Sequence, residues 1–84
     1  MSVFDEVRQI LVSELAVKAE MVRPESKLSA DLGADSMDGL ELITVLEETF
    51  AIEINDEEAS KISVVADIVE LISRKRGVKV LDQG

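Results

Sequence analysis

The chain has 84 residues, with 18 Asp and Glu against 9 Lys and Arg, and its formal net charge is −9. That length limits it to one small domain with little net core stability, and the lack of any Cys or His excludes disulfides, thiolate nucleophiles, zinc–thiolate sites and the commonest general base. The acidic balance also argues against nucleic acid, whose phosphates need clustered Lys and Arg.

Hydrophobic residues make up 46% of the chain and only Phe4 and Phe50 are aromatic, so it can fold, around an aliphatic core. Phe4, Val7, Leu11 and Leu15 recur at helical spacing, with Val3 and Ile10 beside them, which predicts an amphipathic helix from about Val3 to about Lys18. Ser2 stands at its N-cap with Asp5 three residues on, a capping-box arrangement. Mixed acids and bases in this stretch leave no apolar run for a secretory signal or membrane span, and the absence of Cys fits a reducing compartment, so a cytoplasmic protein is expected. Pro24 forbids helix through Arg23, and Pro24, Ser26, Ser29 and Gly33 punctuate a long connection from about Ala19 to Ala34. A loop of that length is functional or pinned by apolar residues, for which Met21, Val22, Leu28 and Leu32 are available.

A second helix opens with Asp35 as N-cap and Asp38 at its third position, acids that oppose the positive end of the helix dipole. Met37, Leu40, Ile43 or Thr44, Leu46 or Glu47, and Phe50 supply its expected inward face. Asp38, Glu41, Glu48 and neighbouring Glu47 fall on the outward one. The segment Ala51-Ile52-Glu53-Ile54 is too short to decide between extended chain and turn, and Asn55 with Glu58 caps a brief third helix through about Ser60. Ser63 with Asp67 close behind starts a last helix on Val65, Ile68, Val69 and Ile72. Lys75 and Arg76 suit its C-terminal end, Gly77 is a natural stop, and residues 78–84 form an expected flexible tail. The expected fold is all-α, a small bundle of three main helices plus one short helix, with a long loop between the first two.

The negative charge is local. Between Leu28 and Ser60 lie Asp31, Asp35, Asp38, Glu41, Glu47, Glu48, Glu53, Asp56, Glu57 and Glu58, with no Lys or Arg among them, while the rest of the chain is nearly neutral. Self-repulsion within such a block opposes folding, so a surface facing a basic partner explains it better than solubility does. Ser36 sits directly after the second N-cap, at the end of a glycine-containing loop. It fails as a catalytic nucleophile: no His exists to deprotonate it, no G-x-S-x-G elbow surrounds it, and Asp35 and Asp38 oppose an alkoxide. Two readings remain for it, a helix-starting hydroxyl or a modification site where an attached phosphate would lie near free N–H groups. An EF-hand loop begun at Asp31 fails at its sixth and twelfth positions, which are Ser36 and Leu42, so only diffuse association of divalent cations is expected.

The run Asp31-Leu32-Gly33-Ala34-Asp35-Ser36-Met37-Asp38, followed by Glu41-Leu42, by Leu46-Glu47-Glu48-Thr49-Phe50 and by Asp56-Glu57-Glu58-Ala59, resembles the acyl carrier proteins of dissociated (type II) fatty acid synthases. The resemblance runs from the first helix to about Arg76 and implies a carrier domain over residues 1–77. It implies that Ser36 receives 4′-phosphopantetheine from coenzyme A through a phosphopantetheinyl transferase, and that acyl groups ride on the arm's thiol as thioesters. By the same resemblance the chain is not an enzyme but a monomeric carrier, serving synthases, reductases, dehydratases and acyltransferases through their basic patches. Carried over by position, Asp35, Asp38, Glu41, Glu47 and Glu48 become contact residues, with Glu53 and Asp56 at the edge, and Leu46, Ile54, Ala59, Ile62 and Ile68 become the lining of an acyl pocket.

Three positions depart from the family pattern. Met37 stands where Leu is usual, Gly39 where a larger residue is usual, and Asn55 where Pro is usual. They leave both a housekeeping carrier and a specialised acyl or polyketide carrier open. Two other readings compete: a peptidyl or aminoacyl carrier, which shares the serine and the bundle, and a non-carrier acidic interaction module, which has no need of Ser36.

Overall fold

The computed structural model describes residues 2–76. Helix α1 (Val3–Leu15) begins where Ser2 Oγ accepts the backbone N–H of Asp5 at 3.1 Å, and it buries Val7 and Leu11. It ends at Ala16, whose φ of 55° is left-handed, earlier than the expected stop near Lys18. No Gly or Pro marks that point. The reversal lets Val17 pack against the core, and this contact offsets the roughly 1–2 kcal/mol that a left-handed non-glycine residue costs.

The long connection contains a one-turn 3-10 helix at Ala19–Met21 and is pinned by buried Val22 and Leu32, with Leu28 half-buried. Met21 does not pin it, being 43% exposed. A buried serine does part of the work instead: Ser26 Oγ donates to the Met21 carbonyl at 2.8 Å and accepts the Arg23 N–H at 3.1 Å. The loop is also bonded to the start of the last helix. Val65 N–H donates to the Ser26 carbonyl, Ala66 N–H to that of Pro24, and Leu28 N–H to that of Ser63, around an isolated bridge between Lys27 and Val64. Donors that a helix start leaves unpaired are thus satisfied by the loop. The Asp31 carboxylate accepts the Lys27 N–H at 2.7 Å, and Gly33, at φ 74°, adopts the left-handed turn that leads to the next helix.

Helix α2 (Ser36–Phe50) carries the expected capping box, Asp35 and Asp38 each accepting the other's backbone N–H. Its inward face differs from expectation. Leu42 and Leu46 are buried and Ile43 and Phe50 half-buried, whereas Met37 and Leu40 are 75% and 72% exposed and Thr44 is exposed. The first turns of α2 lie outside the packed core, so periodicity alone overextended the stripe by two turns. Ala51 ends the helix in a left-handed conformation. Helix α3 (Asp56–Ser60) follows with the expected Asn55–Glu58 capping box. In α4 (Val65–Gln83), described as far as Arg76, Val65, Ile68, Leu71 and Ile72 are buried, and the Asp67 carboxylate accepts the N–H groups of Ser63 and Val64. The expected stop at Gly77 and tail at residues 78–84 lie outside the described residues. Helix α1 packs against both α2 and α4, so the bundle is all-α as expected, with the fully buried Val7, Leu11, Leu46, Ile68 and Ile72 within its core.

Candidate functional site

Ser36 is the first residue of α2 and is exposed. Two local devices hold it there: the capping box of Asp35 and Asp38 immediately around it, and the loop preceding it, which the Asp31 carboxylate and the Leu32 side chain anchor. The box consumes the Asp38 N–H, and Gly39 N–H donates to the Asp35 carbonyl. The N–H groups of Ser36 and Met37 are left without a hydrogen bond among the described residues. Two backbone donors at the positive end of a helix therefore adjoin an accessible hydroxyl, an arrangement suited to an attached phosphate.

Ser36 also borders a cavity of about 330 Å³, walled by Leu28, Gly39, Leu40, Leu42, Ile43, Asp56, Ala59, Ser60, Ile62 and Ile68. Of the residues expected to line an acyl pocket, Ala59, Ile62 and Ile68 wall this cavity. Leu46 and Ile54 are instead part of the filled core. Leu46 is ten residues along α2 from Ser36, about 15 Å at helical rise, and its space is already occupied. Leu42, one turn nearer, takes the lining position. Gly39, Leu28 and Ser60 are further wall residues; the sequence signal for Gly39 and Ser60 is proximity, one turn from Ser36 and one residue from Ala59, and that for Leu28 is its place as an apolar residue of the long loop.

The acids divide into two groups. Asp35, Glu41, Glu48, Glu53 and Asp56 are exposed, while Asp38 is half-buried with its carboxylate on the Asp35 N–H. Glu47 is half-buried as well, its carboxylate accepting the Ile54 N–H at 2.8 Å and tying the end of α2 to the following segment. On α3, Glu58 pairs with Lys75 of α4 at 2.9 Å and Glu57 approaches Lys61 at 4.0 Å. The hydrogen bond from Lys75, seconded by the Asn55 N–H, holds the Glu58 carboxyl below its ordinary pKa. Among the described residues the other ion pairs are Arg8–Asp5 and Arg76–Glu6, so no base neutralises α2. The exposed α2 acids flank Met37 and Leu40, a mixed acidic and apolar surface beside Ser36 that the sequence reading missed because it turned both apolar residues inward. No group of three or more Asp or Glu among the described residues is placed to hold a metal ion, and no helix there is long and apolar enough to cross a membrane.

Residues 5–72, which include Ser36 and the whole cavity wall, match the phosphopantetheine attachment site family. The chain belongs to that family. Acyl carrier proteins are among its relatives: that of Wolinella succinogenes is 49% identical over 76 residues, covering 90% of this chain and all of the relative. The acyl carrier protein of Campylobacter curvus is 50% identical over 74 residues, covering 88% and 96%, and that of Solidesulfovibrio magneticus 47% over 77 residues, covering 92% and 99%. Membership assigns a covalently bound 4′-phosphopantetheine as cofactor and makes the chain a carrier that works with biosynthetic enzymes and a transferase, not an enzyme itself. An exposed hydroxyl, two adjacent N–H donors and a bordering apolar cavity fit that group.

Proposed function

We propose that Ser36 Oγ is the attachment point of 4′-phosphopantetheine and that the chain carries acyl groups between enzymes of fatty acid biosynthesis. What carries this reading is the position of Ser36: exposed, beside the unbonded N–H groups of Ser36 and Met37, and on the rim of an apolar cavity. The arm, once attached, supplies the thiol that holds acyl groups as thioesters, which a chain without Cys cannot provide itself.

The chain's own residues do the rest. Ser36 offers the hydroxyl that becomes a phosphodiester, and the Ser36 and Met37 N–H groups face the negative charge so acquired. The Asp35–Asp38 box keeps the hydroxyl outside the bundle. Leu42, Ala59, Ile62 and Ile68 offer an alkyl chain a wall shielded from water. Asp35, Glu41 and Glu48 present the acidic face that steers basic patches of synthases, reductases, dehydratases, acyltransferases and the phosphopantetheinyl transferase, with Glu53 and Asp56 at its edge and Asp38, its carboxylate engaged by the Asp35 N–H, adding charge from beneath. Exposed Met37 and Leu40 supply the apolar centre that such a contact needs. Glu47 belongs less to that face than its spacing suggests, since Ile54 N–H already occupies its carboxylate. We place the carrier in the cytoplasm as a monomer.

Incubation with coenzyme A and a phosphopantetheinyl transferase is expected to add one thiol per chain, detected by a thiol reagent, and Ser36→Ala is expected to gain none. A native chain that gains no thiol would overturn the carrier reading.

A further inference from the structure

Gly39 lies in the second turn of α2, half-buried, in the wall of the cavity that Ser36 borders. Nothing in the fold requires glycine there. The residue sits inside a regular helix without a positive φ, and a Cβ built on it meets no heavy atom within 4 Å. Glycine inside a helix is destabilising relative to alanine, so this position weakens α2 beside the functional serine without relieving any contact. What the missing side chain leaves is open space in the cavity wall.

The shape of the cavity gives that space a meaning. Its polar wall residues, Ser36, Asp56 and Ser60, are all exposed, whereas Leu42 and Ile68 are buried. The rim is therefore mainly polar, with exposed Leu40 its apolar member, and the floor is apolar. Anything tethered to Ser36 and inserted toward Ile68 passes the rim, which is bounded by the start of α2 on one side and by α3 on the other. A straight alkyl chain needs a narrow passage; a methyl branch widens what must pass. We propose that Gly39 sets the width of this mouth, and that the chain thereby admits methyl-branched acyl groups into the cavity as readily as straight ones. The proposal rests on Ser36 being the attachment site.

The test loads the full-length apo protein from coenzyme A thioesters of straight and methyl-branched isomers with the same carbon number, using a phosphopantetheinyl transferase, and measures thioester cleavage by hydroxylamine relative to the urea-unfolded protein. The native chain is expected to protect both isomers to a similar degree. Gly39→Val is expected to keep protecting the straight isomer while the branched one is cleaved on the order of tenfold faster, the scale on which an apolar site discriminates one methyl group. Gly39→Ala, with helicity at least equal to native by circular dichroism, shifts the branched-to-straight ratio the same way by less, and it decides the matter alone if Gly39→Val loses its helical signal. A ratio unchanged from native in the folded variants overturns the proposal, as does a native chain that fails to protect the branched isomer. Failure of every donor to add mass at Ser36 is a distinct result: it overturns the carrier reading, and this proposal falls with it.

Discussion

The two ends of α2 live in different environments although they are one continuous helix. Leu46 is fully buried, in one core with Val7, Leu11 and Ile72, while Leu40, six residues earlier, is 72% exposed beside Met37, Gly39 and unneutralised acids. One end supplies cohesion and the other presents chemistry. The presenting end rests on a capping box, a hydrogen-bonded loop and a five-residue α3 tied to α4 by the Glu58–Lys75 pair. Regions that must accept an arm, a cargo and successive partners are drawn from the less cohesive parts of a fold, and separating them from the core lets them vary without unfolding it.

The contrast is measurable by urea denaturation. Leu46→Ala is expected to cost about 2–5 kcal/mol, a large share of what so small a domain possesses, whereas Leu40→Ala is expected to stay within about 0.5 kcal/mol; equal costs would mean that the two ends are packed alike. Gly39→Ala on the unloaded chain is expected to stabilise by up to about 1 kcal/mol, since the added methyl meets open space and helix propensity improves. A loss of stability there would show that the mouth is already filled.

A smaller effect is expected from the pair that ties α3 down. Because the folded state lowers the Glu58 pKa, through Lys75 first and the Asn55 N–H second, the associated stability is present in full above the ordinary glutamate value of about 4.3 and is lost as pH falls through the lower folded value. The native chain should therefore exceed Lys75→Met in urea midpoint at neutral pH, with the gap closing in acid; a gap that persists unchanged in acid would remove the ion pair as its source. Smallest for the fold is reversal of Glu41 and Glu48 to Lys, both exposed, which should leave the urea midpoint nearly unmoved. The same double variant should nevertheless weaken association with partner enzymes, as added salt should for the native chain. Binding indifferent to both would reduce the acidic face to a solvated surface.

Much of this was legible from residues alone wherever a local rule decides. Ser2, Asp35 and Asn55 cap their helices as their spacing to Asp5, Asp38 and Glu58 requires, because a cap is a hydrogen bond between residues three apart and needs nothing distant. Ser36 stood out for the same reason, being one residue past a cap. The all-α class and the localised acidity likewise follow from periodicity and counting.

What the spacing of residues could not reveal depends on how elements meet. Ala16 and Ala51 end their helices in left-handed conformations with no glycine to announce it, because packing of the following segments outweighs the local preference. Met37 and Leu40 carry the right period for burial, yet the end of the helix that bears them reaches past the core, so no partner surface covers them. Leu42 rather than Leu46 walls the cavity for a related reason: both face inward, but only the distance along α2 from the filled core decides which one meets open space. Local chemistry therefore determines where the helices start and which serine is offered, while the placement of α3 and of the loop against α4 determines what that serine is offered beside.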